Sequence, residues 1–404
     1  MNENKEMKWR DSFEIFTSEE ATLVKEVDEM EENSTWYRGI ESCKGLKVIP
    51  IPSPIEVPIV MNDYGLDYER TIENATEGTS LLLKVIDENY NEQVSNISKI
   101  ALPTLYETAK LNGSALSRMY QVHLSECLNY ALNVAKGSSL ILVRRGKIMA
   151  LHSDAAGGYA VMPISELIKI TKNGLAARFG EVKFKEGYMS NAYMQAIWEL
   201  PDAKDQMMAS YQSVLANSVS HFHAIDFMPS VRLSSSDTAR SSAILQPCFR
   251  MNDRTYIRLG NGISVKHERK SQGIYGTQLY EDEIKNVFAK FNETFEKVKE
   301  MAETEIWNPV NCFIGIINHI NRSGSIISKT YADAAREEVE IFASQSPCIS
   351  MHDIYLSMSQ IVSSAKAANA SRNTIFHIEE GIARVLTMNW KDFDIGGVVS
   401  WGNK

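Results

Sequence analysis

Hydrophobic residues along the chain recur with two different periods. Between residues 179 and 265, apolar and β-branched residues alternate with polar ones in five short runs, which is typical of antiparallel strands. A helical passage, roughly Asp205 to Asn217, interrupts these runs. After them, apolar residues recur at helical spacing and predict one long helix that covers the sheet. The apolar positions of that helix are Ile284, Val287, Phe288, Phe291, Phe295, Val298 and Ala302.

The segments on either side of the strand runs have mixed and then purely helical patterns. Residues 80–87 and 138–153 predict strands, the second as a strand–turn–strand with its turn at residues 144–147, and residues 115–135 predict a helix. From Trp307 onward the pattern is helical. One of these helices begins at Ser350, with Asp353 completing a capping box. The predicted fold class is α+β, an antiparallel sheet meander covered by helices, with a C-terminal helical subdomain.

Composition shifts divide the chain into three predicted regions: an N-terminal arm (1–75), an α+β core (76–306) and a helical region (307–404). The arm prediction rests on charge and on proline. Residues 1–32 hold eleven acidic and four basic residues, and prolines at 50, 52, 54 and 58 force extended backbone. We interpret the acidic stretch either as a solvated amphipathic helix or as an arm that masks a basic surface.

Overall composition is that of a water-soluble protein, with 44% hydrophobic and 23% charged residues and a formal net charge of −9. The five cysteines are scattered, without CxxC spacing, which favours a reducing compartment over a disulfide framework. The N-terminus has no apolar signal region, and the apolar runs are too short to span a bilayer. We therefore expect a cytoplasmic protein without membrane contact.

Against this acidic background, residues 231–270 carry six Arg and two Lys against three acidic residues. A basic sheet face is a candidate polyanion surface, because neutralisation of phosphates dominates nucleic-acid affinity. Tyr188, Tyr193 and Phe249 could add stacking faces for bases. The predicted nucleic-acid-binding residues are Arg144, Arg145, Arg232, Arg240, Arg250, Arg254, Tyr256, Arg258 and Lys266. The other interpretation is a solvated face whose arginines pair with the acidic arm.

Three passages carry a family resemblance: SSLILVRRGKIMALHSDAAGGYAVMPISELIKIT, VRLSSSDTARSSAILQPCFRMNDRTYIRLGNGISV and the late helix SMHDIYLSMSQIVSSAKA. Over roughly residues 80–390 the chain resembles the phage- and plasmid-like "domain of unknown function 932" family. The positions that match are Arg144, Ser153, Asp154, Tyr159, Ser235, Ser236, Arg250, Asn261 and Gly262. The chain departs from the family in the residues 155–158 inserted before Tyr159, and in the long link between Arg250 and Asn261. The resemblance implies a protein of a mobile element.

The predicted core also resembles that of single-strand annealing proteins, an analogy at the level of fold. It implies a protein that binds single-stranded DNA or RNA and acts in recombination or replication of the mobile element. Because annealing proteins often form oligomers, it also implies a homo-oligomer. The alternative is a phage-encoded anti-defence protein that binds and inhibits a host immune complex. For that function the acidic arm and the C-terminal helices would be the docking surfaces.

No complete catalytic motif is present, so we predict neither an enzyme nor a cofactor. His221 and His223 with Asp226 form a weak metal pair, for which buried structural histidines are the simpler interpretation. The serines at 234–236 lack a nucleophile elbow, and the lone Cys248 is typical of a buried small hydrophobe. The adjacent pair Glu379–Glu380 is interpreted as a solvated helix face.

Overall fold

The computed structural model describes residues 8–40, 45–86, 92–154, 158–216, 218–222, 226–251, 256–258, 262–268, 276–323 and 326–402. Their strands are β1 (Glu14–Thr17), β2 (Ser34–Ile40), β3 (Leu46–Pro50), β4 (Leu81–Ile86), β5 (Glu92–Ile97), β6 (Ser139–Arg144), β7 (Lys147–Ser153), β8 (Lys183–Ser190), β9 (Met194–Glu199), β10 (Met228–Ser235), β11 (Ala243–Arg250), β12 (Tyr256–Ile257), β13 (Ile263–Val265), β14 (Glu305–Ile306) and β15 (Ile349–Ser350).

The helices of the same residues alternate with these strands and then follow them. They are α1 (Glu20–Glu32), α2 (Val57–Tyr64), α3 (Tyr68–Thr76), α4 (Leu102–Thr108), α5 (Gln121–Val134), α6 (Ile164–Phe179), α7 (Lys204–Leu215), α8 (Thr277–Ile284), α9 (Val287–Glu303), α10 (Pro309–Ile320), α11 (Lys329–Gln345), α12 (Met351–Ser357), α13 (Ser359–Ala367) and α14 (Arg372–Arg384). This composition confirms the predicted α+β class.

The first sheet has six strands in the order β2-β6-β7-β5-β4-β3. The β5–β7 pair is parallel and the other pairs are antiparallel. The predicted strand–turn–strand is confirmed, because β6 and β7 form a hairpin whose turn residues Arg145 and Gly146 both have positive φ (48° and 78°), as a tight hairpin turn requires. At the edge of this sheet, the Asn129 side chain bonds to both the N–H and the C=O of Val48, each at 2.8 Å.

The second sheet is antiparallel, in the order β1-β8-β9-β10-β11-β12, with β13 also on β11. The predicted meander is confirmed, including α7, which interrupts it between β9 and β10. The predicted covering helix is α9, and it buries Val287, Phe291 and Val298 in the core beneath the sheet. Helix α9 begins at Val287 rather than at Ile284, because Ile284 is the last residue of α8 and the chain turns between the two helices.

The described residues of the predicted arm (1–75) instead contribute strands to both sheets. Strand β1 pairs with β8, while β2 and β3 are the outer strands of the first sheet. Helix α1 buries Leu23, Val27 and Met30, which lie on one helical face. Part of the acidic excess is neutralised close by, because Lys8 Nζ lies 2.6 Å from Glu26 and 2.8 Å from Glu29. The acidic stretch is therefore a structural element and not a mask.

The C-terminal helices share one core with the second sheet. A continuous cluster of buried apolar side chains runs from Leu23 through the meander to Trp390. The first sheet has its own core, drawn from residues 46–151. The predicted capping box is confirmed: Ser350 and Asp353 bond reciprocally at the start of α12. The packing thus divides the molecule between its two sheets, whereas the sequence placed boundaries at 75 and 306.

Candidate functional site

Two of the arginines predicted to face phosphates lie under the last helix. Arg232 of β10 is 4% exposed and forms an ion pair with Glu379 of α14. Arg258 pairs in the same way with Glu380. Burial opposes the charge of Arg232, but Glu379 and Glu380 outweigh it and raise its pKa. The two glutamates, predicted to be a solvated face, are thus internal counter-ions, and these arginines are not available to a polyanion.

The other predicted cations divide into paired and exposed groups. Arg144 pairs with Asp237, Arg145 Nη2 lies 3.4 Å from Glu29, and Arg250 Nε donates to Glu199 at 2.5 Å. Each of these three guanidinium groups is largely buried. By contrast, Arg240 and Lys266 are exposed. Arg254 lies outside the described residues. The exposed basic sheet face that the sequence predicted is therefore reduced to two cations among the described members of that set.

Of the predicted stacking residues whose side chains the structure describes, Phe249 and Tyr188 are buried and Tyr193 is half-buried. Phe249 is 1% exposed inside the core. Tyr188 donates its hydroxyl to Glu14 at 2.9 Å and packs at 5.1 Å between ring centroids on Tyr193. Burial raises the pKa of Tyr193 to about 12. Tyr256 contributes backbone to β12. Phe249 packs against Phe291 of α9 and Tyr193 against Phe376 of α14, so these two rings contribute to packing on the sheet.

The described residues of the weak histidine metal pair do not form a metal site. His221 lies beside Asp353, with Nδ1 3.3 Å from the carboxylate, while Asp226 pairs with Lys204 at 2.7 Å. His223 lies outside the described residues. In the part of the chain that the structure describes, no group of three His, Cys, Asp or Glu residues is placed to hold a metal ion. Cys248 is buried, and burial raises the pKa of its thiol to about 12.

Several residues that carry the family resemblance do converge, at the junction of the two sheets. Arg144 ends β6, and the turn after β10 brings Asp237 to it as an ion-pair partner. Tyr159 donates its hydroxyl to the carbonyl of Ser236 at 3.3 Å. Ser236 in turn donates to the carbonyl of Ala192 at 2.6 Å, which fixes the turn against the β8–β9 hairpin. The contacts join residues from three distant parts of the sequence.

Two histidines that the sequence analysis did not single out complete this junction. The ring of Tyr159 is nearly parallel to those of His152 (3.7 Å between centroids) and His267 (5.0 Å), and Trp36 extends the group. His152 Nε2 lies 3.0 Å from the carbonyl of Asp237, and His267 Nδ1 lies 3.3 Å from that of Ala160. A carbonyl can only accept, so each of these nitrogens carries the proton.

Burial favours the neutral form of both imidazoles. Burial lowers the pKa of His152, and it lowers the pKa of His267 to about 4. With Nδ1 donating, Nε2 of His267 is an acceptor, and it lies 3.5 Å from the hydroxyl of Ser235. Ser235 itself is fully buried. The pair therefore works as an internal hydrogen bond that orients His267, and not as an exposed nucleophile and base.

The rings form one wall of a cavity of about 370 Å³, which we call the inter-sheet cleft. Its lining residues are Glu107, Thr108, Lys110, Leu151, His152, Ser153, Gly158, Tyr159, Ala239, Ser241, Ser242, Lys266, His267 and Glu268. Two of them, Lys110 and Ala239, hold left-handed backbone with φ of 56° and 60°. Strained non-glycine residues persist only where their surroundings fix them, and they concentrate at functional sites.

The chemistry of the inter-sheet cleft is polar and charged at its rim. Lys110, Arg240 and Lys266 are exposed and come from three separate segments, with Arg240 between two lining residues. Glu107 and Glu268 bring opposite charge to the same lining, and Lys266 Nζ lies 3.5 Å from Glu268. Neutral imidazoles, hydroxyls and a few cations suit a ligand with a polar ring and an anionic group.

No family model, curated protein or solved structure matches this chain. The resemblance to the domain of unknown function 932 family therefore stays a prediction, as does the likeness to annealing proteins. Among the described helices, none combines the length and the apolar character needed to cross a membrane.

Proposed function

We propose that the protein binds single-stranded nucleic acid at the inter-sheet cleft and serves the DNA metabolism of a mobile element. The cleft would hold one nucleotide, while the cations at the rim contact phosphates on either side. The observation that carries this proposal is that the exposed cations Lys110 and Lys266 line a cavity of about 370 Å³, and that Arg240, also exposed, lies between two of its lining residues. That volume is within the range of small-ligand sites, roughly 300–1,000 Å³.

The internal pairing of the other arginines changes what the proposal predicts. A surface with six or more cations would give a steep dependence of affinity on salt. Three cations on a single strand give a slope of log affinity against log salt of about −2, since each neutralised phosphate contributes roughly −0.7. Glu107 and Glu268 oppose phosphate binding at the same rim, so we also expect modest affinity.

The test is a fluorescence anisotropy titration of a labelled single-stranded oligonucleotide across a salt series. The cleft variant is Lys110→Glu with Arg240→Glu and Lys266→Glu. The matched control is Lys299→Glu with Lys329→Glu and Lys391→Glu, three exposed lysines that do not line the cleft. We expect a slope of about −2 for the parent and the control, and near zero for the cleft variant.

Either of two results would overturn the proposal: no binding at low salt, or equal losses in the cleft variant and the control. The alternative hypothesis, an anti-defence protein that inhibits a host immune complex, would then gain weight. Capture of one stoichiometric host protein, not released by nuclease, would support that alternative.

A further inference from the structure

The segment of residues 53–68 presents large apolar side chains to solvent. Ile55 is 88% exposed, Ile59 62%, Tyr68 48% and Tyr64 39%. Ile55 and Ile59 are one helical turn apart, and the tyrosines flank the short turn between α2 and α3. We call this surface the α2–α3 face. Water-exposed groups of large apolar residues mark interaction sites in monomeric proteins.

The backbone beneath these side chains is held firmly. Val57 and Ile51 are buried with Leu82 in a small core between α2, α3 and the first sheet. Ser53 caps the turn that precedes α2, and Asp67 caps α3 by accepting from the Arg70 N–H at 3.0 Å. The exposed residues are therefore presented by a rigid support, which keeps the entropic cost of binding a partner low.

Further contacts tie this support to neighbouring elements. The Tyr120 hydroxyl donates to the carbonyl of Pro52 at 3.1 Å. On the inner side of α3, Asn74 is fully buried and donates to the carbonyl of Leu81 at 2.8 Å. Ile55 and Ile59 are thus exposed on one side of a segment whose other side is packed against the rest of the protein.

The exposed charges of this segment have one sign. Between residues 51 and 80, all of which the structure describes, the exposed charged side chains are Glu56, Asp63, Asp67, Glu69 and Glu77. The cation of this segment, Arg70, is half-buried and donates to the carbonyl of Arg145. Within this segment, the α2–α3 face therefore combines apolar side chains with exposed charges that are all acidic.

We propose that the α2–α3 face docks a cationic amphipathic helix of a partner protein. The apolar side of such a helix would cover Ile55 and Ile59, and its Lys or Arg residues would pair with the exposed acidic side chains. A second copy of this chain fits poorly, because a two-fold contact would place the same five carboxylates against each other. Nucleic acid is repelled by the same charge.

The experiment is a titration of the full chain against two labelled synthetic peptides. One is a helical Leu/Lys amphipathic peptide, and the other is its twin with Glu in place of Lys. We expect the Leu/Lys peptide to bind, with affinity that falls as salt rises, and the Leu/Glu peptide not to bind. Sedimentation velocity of the same samples reports whether the chain self-associates through this face.

Two pairs of matched variants locate the binding. Glu56→Gln with Asp63→Asn and Glu69→Gln removes three charges from the face, and Glu296→Gln with Glu303→Gln and Glu337→Gln removes three exposed charges elsewhere. Ile55→Ser with Ile59→Ser is compared with Val134→Ser and Val398→Ser, which alter valines that are also exposed. We expect each face variant to bind the Leu/Lys peptide about tenfold more weakly and the controls to bind as the parent does.

Three outcomes would overturn the proposal. The first is that the Leu/Lys peptide fails to bind at low salt, and the second is that the face variants bind it as the parent does. The third is a dimer of the parent that Ile55→Ser with Ile59→Ser dissociates, which would assign the face to a second copy of the chain.

Discussion

Replacement of Arg232 by methionine tests whether the predicted basic surface is instead an internal ion-pair network. The Arg232 side chain is 5% exposed, and its guanidinium pairs with Glu379 and lies 3.7 Å from Glu380. Arg232→Met leaves the Glu379 carboxylate, which is 10% exposed, without its closest cation. Removal of one partner of a buried pair costs about 3–5 kcal/mol, because the charge that remains is desolvated and uncompensated.

The expected change in Tm is this loss of free energy of unfolding divided by the entropy of unfolding. At about 2.1 cal/mol/K per residue, a chain of 404 residues that unfolds cooperatively loses about 4–6 °C in Tm. The double variant Arg232→Met with Glu379→Met removes both charges, so most of the loss should be recovered, since an apolar replacement of a whole buried pair is often neutral. Lys290→Met serves as the control: its pair with Glu293 is half-exposed, and we expect a loss of about 0.5 kcal/mol or less.

The assay is thermal unfolding followed by circular dichroism, with oligonucleotide affinity measured on the same variants. A binding role for Arg232 predicts the opposite pattern, with weaker binding and an unchanged Tm. An Arg232→Met variant that melts within about 1 °C of the parent, or a double variant less stable than the single one, would contradict the internal ion-pair network.

Two further predictions concern His267 and Asn129. The pKa of His267 is about 4 in the folded state and 6.5 in the unfolded state, so between these values the unfolded state binds more protons and stability falls with falling pH. Between pH 7 and pH 5, the free energy of unfolding of His267→Gln should therefore fall by about 2 kcal/mol less than that of the parent, as measured by urea unfolding. An equal fall in both proteins would contradict this. Asn129→Ala strips both hydrogen bonds from Val48 and should cost about 1–2 kcal/mol, and an unchanged urea midpoint would show that water replaces them.

Some elements could be predicted from the sequence because neighbours along the chain determine them. The apolar stripe that includes Phe291 and Val298 has the period of a helix whatever lies opposite it. The capping box needs only Ser350 and Asp353, three residues apart, to satisfy the first N–H groups of α12. The β6–β7 hairpin follows from a short polar turn between two apolar runs. These are local rules, and local rules predicted the meander and its covering helix.

No local rule predicted the contacts of the candidate site. Arg232 and Arg258 have the charge of a phosphate-binding surface, and only the packing of α14 more than 100 residues later supplies the glutamates that neutralise them. His152 and His267 lie 115 positions apart, yet both stack on Tyr159. Each is a single histidine in its segment, and a single histidine predicts no binding or catalytic site. Coulomb and stacking interactions act through space and fall off with distance, so their partners are set by the tertiary fold.

The N-terminal region shows the same division. The prediction of extended backbone at the prolines was wrong for Pro54 and Pro58, which lie in the first turns of a short helix at residues 54–56 and of α2, where the missing N–H has no helical partner to lose. The sequence did determine that α1 is a helix with one apolar face. It did not determine that β1 joins the second sheet at β8, because strand pairing depends on which edge is free once the rest of the sheet has formed. The sequence alone therefore predicted the elements whose residues have a clear local period. The tertiary structure decided which strands pair, which charges are buried, which rings meet and which surfaces remain open to a partner.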